Sequence, residues 1–355
     1  MTFFLLPVSL IVLFVLERLF FRKIWRKGLG VNVTFSESTI RSGEGVVVKE
    51  KTDNRKRIPL SIISVEWSLE RLCSQYKVDD KPFVVSSSFS LPSYCSVKRN
   101  KEIDGLKRGI YTISNGKITS SDLFSSEEYS CSLISNSMLC VLPGRKNTFS
   151  SSYAYRGFLG SVLSQKMNQE DPFEIKAIRP YLPTDSLRVV NWKASAKTGS
   201  LKVNQYEWTT DESVMVVLDL SRGDEEERET LIEYVSSFSS LILERGVSLS
   251  LYSNGRDYKD GTMVKVGKGS GVSHIDSIDR ALSTIKVSST DSMSFFNLMG
   301  NVLVSEKNCV PVFFSVYLDD EETDSFFSLS KEEGAVFLLR GEERDNVFLL
   351  EEGNE

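Results

Sequence analysis

The run SVMVVLDLS at 213–221 restricts the fold of this chain more than any other stretch. It is apolar at successive positions rather than at alternate ones. A strand with one wet face alternates, so a strand of this kind must be covered on both sides. The segment after it supplies a cover. DEEERETLIEYVSSFSSLILERG places acids in a first helical turn and has a stop at Gly246. Its residues Leu231, Val235, Phe238 and Ile242 fall on one apolar stripe. VSLSLYSN and TMVKVGKG then read as strands, HIDSIDRALSTI and DSMSFFNLMGNVL as helices, and VPVFFSVYL and GAVFLLR as strands. This order predicts a doubly wound α/β sheet over 211–355. The ligand crevice of such a sheet lies at the carboxyl ends of its strands, which directs attention to Asp219 and Ser221.

Between residues 28 and 165 the rhythm differs. VNVTF, GVVVKEKT, LSIISVEWSL, FVVSSSFSL, GIYTISNGKIT and YSCSLIS alternate with period two. Turn signals separate them, among them Ser42-Gly43-Glu44-Gly45, Asp79-Asp80-Lys81-Pro82 and Ser114-Asn115-Gly116. A β-rich, sandwich-like domain is expected there. Residues 1–27 begin with an apolar run from 3 to 21, broken by Ser9, Glu17 and Arg18, and followed by Arg22, Lys23, Arg26 and Lys27. A helix of that length predicts a retained transmembrane anchor. The basic flank orients it with the bulk of the chain in the cytoplasm, a single-pass protein of the cell membrane. Five cysteines without a C-x-x-C pair agree with a reducing compartment. The expected fold class is therefore α+β multidomain: a transmembrane helix, a β-sandwich-like domain, then a doubly wound α/β domain.

Residues 166–210 join the two larger domains. Within them, EIKAIRPYLPTDSLRVVNWKASAKTGSLKVNQYE concentrates bases and aromatics in a chain of formal net charge -5. Two readings stand for this strip. It is a connector pinned by buried Trp192 and Tyr181 and by Asp185 paired with Arg188, or it is a basic docking surface. The aromatics and Asp185 favour the first, and Lys193, Lys197 and Lys202 the second. Nucleic acid is a poor partner for so modest an excess of charge in an acidic chain. Catalysis is poorly provided for. The only histidine is His274, and there is no P-loop, no G-x-S-x-G elbow and no H-E-x-x-H motif.

The strip resembles the signature of the bacterial domain-of-unknown-function family 58. Arg179, Tyr181, Asp185, Arg188, Trp192, Lys193, Ser195, Ala196, Lys197 and Gly199 occupy its places, with Thr184 for the usual glycine and Asn191 for the usual aspartate. Gly43-Glu44, Asn54 with Pro59, and Arg108-Gly109-Ile110-Tyr111 with Asp122 and Phe124 resemble the family's amino-terminal half. The resemblance implies a von Willebrand factor type A-like carboxyl-terminal domain. It also implies a membrane-anchored, non-enzymatic accessory protein that works with a MoxR-type AAA+ ATPase on a client protein. Type A domains hold Mg²⁺ through Asp-x-Ser-x-Ser, where oxygen ligands suit a hard cation. Here Asp219 and Ser221 match the first two ligands and Gly223 replaces the third. Asp219 is thus either one ligand of a degenerate magnesium site or a capping aspartate. No other cofactor is expected.

Overall fold

The computed structural model describes residues 2–73, 83–122, 127–146, 170–183, 185–208, 213–286, 309–329, 334–341 and 347–350; for 2–7, 170–176 and 205–208 it describes the backbone alone. The helix expected over DSMSFFNLMGNVL, the turn at Asp79–Pro82, Phe124 and Thr184 lie outside the described residues. The chain divides into two compact units. One comprises Met1–Gly144, Arg256–Gly261 and Asp279–Val287, and the other Arg145–Gly255, Thr262–Ile278 and Ser288–Glu355.

Two sheets build the first unit. One has the antiparallel order β1 (Leu29–Phe35), β3 (Val46–Asn54), β6 (Ser96–Ile103). The other runs β2 (Thr39–Arg41), β9 (Met138–Leu142), β7 (Gly109–Ser121), β4 (Leu60–Arg71), β5 (Phe83–Leu91), and β8 (Glu128–Leu133) also pairs with β7. The period-two pattern of β3 turns Val46, Val48, Glu50, Thr52 and Asn54 inward. Val46 and Val48 join Val65, Trp67 and Leu69 of β4 and Tyr111 and Ile113 of β7 in one core. Asn54 closes the adjoining turns, its Nδ2 donating to the carbonyls of Ile58 at 3.0 Å and Pro92 at 2.9 Å. Buried Arg108 does the same for the chain around residue 283, donating to the carbonyl of Leu282 at 2.6 Å.

The amino-terminal segment departs from expectation. It forms helix α1 (Thr2–Ile24), but no helix among the described residues is long and apolar enough to cross a membrane. The transmembrane helix of the expected fold class is corrected accordingly. The apolar run of α1 is broken at Glu17 and Arg18. Beyond it the helix serves the β unit. Phe21 and Trp25 are buried among Leu60, Ile63, Leu91 and Ile118, and both rings lie against Tyr129. Among the described residues strands outnumber helices.

Lys56 fastens the end of α1. Its Nζ donates to the carbonyl of Trp25 and, at 3.1 Å, to that of Ile24. The Ile24 carbonyl also accepts the Lys27 N–H at 3.0 Å, and a cation here meets the negative end of the helix dipole. Burial lowers the Lys56 pKa from 10.5 to about 8. Between those two values the unfolded chain keeps a proton that the folded chain has released, so stability rises with pH across that window. Thermal unfolding of the chain and of Lys56→Met checks this. The gain with pH is expected in the parent and absent in the variant, and parallel profiles would refute it.

The second unit holds a sheet in the order β14 (Met263–Gly269), β13 (Ser248–Asp257), β12 (Ser213–Leu218), β16 (Cys309–Ser315), β17 (Ala335–Leu338), β18 (Val347–Leu349). From β13 to β18 the neighbours are parallel. The short β15 (Ile285–Lys286) pairs with the tail of β13. Every residue of β12 is buried, because helices cover both of its faces. After the seven-residue helix α2 (Trp192–Thr198) comes α3 (Glu225–Glu244), whose Phe238 packs on Phe314 and Phe337. The others are α4 (Val272–Thr284) and α5 (Asp320–Leu329), and Phe326 of α5 meets Phe313 on the opposite face. Asp224 starts α3 in a reciprocal capping box with Glu227.

Candidate functional site

Two places in the second unit carry the residues singled out by sequence. The first is the strip. β10 (Glu170–Pro180) and β11 (Lys202–Trp208) pair as an antiparallel ribbon, and the chain between them makes a 3-10 turn at Leu187–Val189 and helix α2. Asn191 caps α2 by accepting the Ala194 N–H at 2.8 Å, and its Nδ2 donates to Asn204 Oδ1 at 2.7 Å. Buried Ser195 ties the helix to β11. Its Oγ accepts the Lys202 N–H at 2.8 Å and donates to the Asn191 carbonyl. Gly199 ends the helix at φ 67°, a left-handed conformation that suits glycine, and its N–H returns to the Ser195 carbonyl.

Asp185 does not pair with Arg188. It receives both Arg179 Nη atoms, at 2.7 and 2.6 Å, and the Leu182 N–H at 2.8 Å. The Arg179 hydrogen bond, followed by that backbone bond, holds the Asp185 carboxyl below the usual carboxylate range. The planar fork of an arginine at the end of β10 matches the carboxylate, whereas Arg188 sits exposed within the 3-10 turn. Trp192 is also not the buried pin that the connector reading needs. It is 66% exposed. With only seven residues, α2 uses its inner face for Ser195, and Trp192 at its first position projects outward with Lys193 and Lys197. Tyr181 is half-buried. Ile178, Leu182, Leu187 and Leu201 are exposed on the same strip.

The second place is the carboxyl end of the parallel sheet. β12 has β13 on one side and β16 on the other, so the winding reverses at β12 and leaves a crevice beside it. Asp219, fully buried, ends β12 at this point. Its Oδ1 accepts the Ser221 N–H at 3.0 Å and the Asn254 Nδ2, and its Oδ2 accepts Ser315 Oγ at 3.3 Å. Asn254 cannot be turned round, because its Oδ1 accepts the Leu220 N–H at 2.8 Å. Next to it, Arg222 Nη2 bonds Glu322 at 2.7 Å, and the guanidinium lies over the Tyr317 ring. Ser221 Oγ and Arg222 Nη1 are buried without a hydrogen-bond partner. His274 is a packing residue, its ring nitrogen held by the Leu249 carbonyl at 2.8 Å.

Residues 177–326 match the model of the family described as "Protein of unknown function DUF58". This stretch is similar to the DUF58 family. The DUF58 region thus takes in both the strip and the crevice. No curated protein matches the chain. Among solved structures, an alkylpurine DNA glycosylase, AlkC, of Pseudomonas fluorescens bound to DNA with an abasic-site analogue is 10% identical over 32% of this chain and 30% of its own, with a TM-score of 0.21. A Listeria innocua beta-glucosidase in complex with gluconolactone is 9% identical over 32% of this chain and 16% of its own, TM-score 0.21. The CARDB domain of the PF1109 protein of Pyrococcus furiosus, in complex with di-metal ions, is 12% identical over 32% of this chain and 89% of its own, TM-score 0.21. The chain spans less than a third of the length of the first two, and likeness at this level carries no argument about fold or function.

The magnesium reading of the DUF58 crevice fits its residues poorly. Asp219 spends both oxygens on protein donors, one of them an amide whose orientation is fixed. Gly223, at the place of the third ligand, has φ 84°, and a Cβ there would lie 2.8 Å from Glu227 Oε2 and from Val316 Cγ2. A serine cannot stand in that position without moving the turn. Among the described residues no group of three His, Cys, Asp or Glu side chains could hold a metal. Calorimetric titration with Mg²⁺ and Mn²⁺ is expected to show no heat at millimolar metal. A signal that Asp219→Ala abolishes would restore the metal reading.

Proposed function

We propose that the chain is a non-enzymatic interaction protein whose DUF58 strip docks an acidic surface of a partner protein. The observation that carries this reading is Trp192, a large aromatic left exposed on a helix that Asn191 and Ser195 hold in place. Tryptophan is enriched among the anchoring residues of protein interfaces, and exposed apolar patches rimmed by polar side chains mark such surfaces. Arg188, Lys193 and Lys197 stand exposed on the same strip, so the complementary surface is negative. Because Asn191, Ser195 and Gly199 pre-order the backbone, little conformational entropy is lost on docking. The family resemblance supplies the partner class, a MoxR-type AAA+ ATPase, with a client protein served by the pair.

The test is retention of a purified MoxR-type ATPase by the immobilised full chain, in ATP and in ADP, at low and at raised salt. Binding that weakens with salt is expected. No retention in either nucleotide would overturn the partner class, and retention unchanged by Trp192→Ala would overturn the docking surface.

A further inference from the structure

The first unit contains a polar cleft that the DUF58 region does not share. It opens between β5 and β6, each an edge strand of its sheet, and has a volume of about 320 Å³. That is room for a small molecule or a single side chain. Its floor is Glu50 of β3 and Trp67 of β4, and Arg99 and Lys101 of β6 stand among its lining residues.

Glu50 is out of character with its strand. The inward positions of β3 begin Val46, Val48, and the third is a carboxylate only 5% exposed. Glu50 Oε2 accepts Ser87 Oγ at 3.2 Å. The Trp67 indole N–H, on a side chain 1% exposed, faces the carboxylate and lowers its pKa. Yet Glu50 Oε1 and Trp67 Nε1 complete no hydrogen bond of ordinary geometry. An acceptor and a donor are therefore held side by side, away from water and without full partners. Burying such groups is costly unless something satisfies them. Desolvation is the largest influence on Glu50 and raises its pKa, opposed by the Trp67 and Ser87 hydrogen bonds and the Arg99 charge.

A carboxamide satisfies both groups at once, since its oxygen accepts and its nitrogen donates. An ammonium or guanidinium group would satisfy Glu50 alone and would face Arg99 and Lys101. We infer that this cleft binds a ligand carrying a carboxamide and a carboxylate. Trp67 Nε1 donates to the amide oxygen, Glu50 Oε1 accepts from the amide nitrogen, and Arg99 and Lys101 attract the carboxylate. A glutamine or asparagine residue whose α-amine is acylated has this chemistry.

The probe is N-acetyl-L-glutamine, titrated into the full chain with ¹⁵N-labelled tryptophan. The indole signal of Trp67 is assigned from the spectrum of Trp67→Phe. That signal is expected to move and saturate with a Kd of about 1 mM, reasonable for so small a ligand. N-acetyl-L-glutamate, which has no amide donor, is expected to bind at least ~10-fold more weakly. Glu50→Met removes a buried carboxylate without opening a cavity, so it keeps its fold while binding falls by a similar factor. Absence of any shift at Trp67, equal binding of the glutamate analogue, or full binding by a folded Glu50→Met would each overturn the assignment. None of these outcomes depends on the docking strip.

Discussion

Asp219→Ala is expected to destabilise the second unit by roughly 3–5 kcal/mol, the largest effect of any single change in the crevice. The substitution removes the carboxylate and strands two donors, the Ser221 N–H and Asn254 Nδ2, while Ser315 Oγ keeps only the Tyr317 carbonyl at 3.1 Å. Asp219 thus ties the loop after β12 to Asn254 of β13 and to Ser315 at the end of β16, so its loss loosens three parallel strands at the place where the winding reverses. Hydrogen exchange of the β12 and β16 amides under native conditions measures the effect where it occurs. Asp219→Asn is expected to cost less, because it keeps an acceptor for Ser221 or Asn254. A change below ~1 kcal/mol on Asp219→Ala would show that Asp219 is not the tie that its hydrogen bonds describe.

Trp192→Ala should separate stability from binding. The side chain is exposed and Ser195 holds the helix without it, so folding free energy should change by no more than ~0.5 kcal/mol. Affinity for the docked partner should fall by ~30-fold or more, the signature of an anchor worth at least ~2 kcal/mol. Trp192→Phe should recover part of that affinity. Charge reversal at Lys193 and Lys197 should instead slow association and flatten its dependence on salt. Calorimetric unfolding and surface-based binding kinetics with the same purified proteins give both readouts. A large loss of stability in Trp192→Ala would return the side chain to the role of a buried pin.

The two outcomes differ because the strip was only half legible. Its bases, aromatics and signature spacing could be read directly. Which face of α2 would be used for packing could not. A seven-residue helix has too little period to show a stripe, and Ser195, a small polar residue, gives no hydrophobic sign that it is the inner contact. Likewise Asp185 had two arginines within reach along the chain. The choice of Arg179 depended on the direction in which β10 delivers its guanidinium. The amino-terminal helix was misread for a related reason. An apolar run shows a need for cover but not what provides it, and from Phe21 onward the cover is the first unit's own sheet.

Some features of this protein were settled by local pattern alone. Strand β12 is buried on both faces, α3 carries its apolar stripe from Leu231 to Ile242, and β3 alternates, because backbone period and side-chain polarity act over a few residues. Tertiary structure alone brought Asn254 and Ser315 to Asp219, set Glu50 beside Trp67, and turned Trp192 outward. Those arrangements join strands far apart in the chain or depend on the direction of one side chain. Sheet order and register decide such meetings, and no local period carries that information.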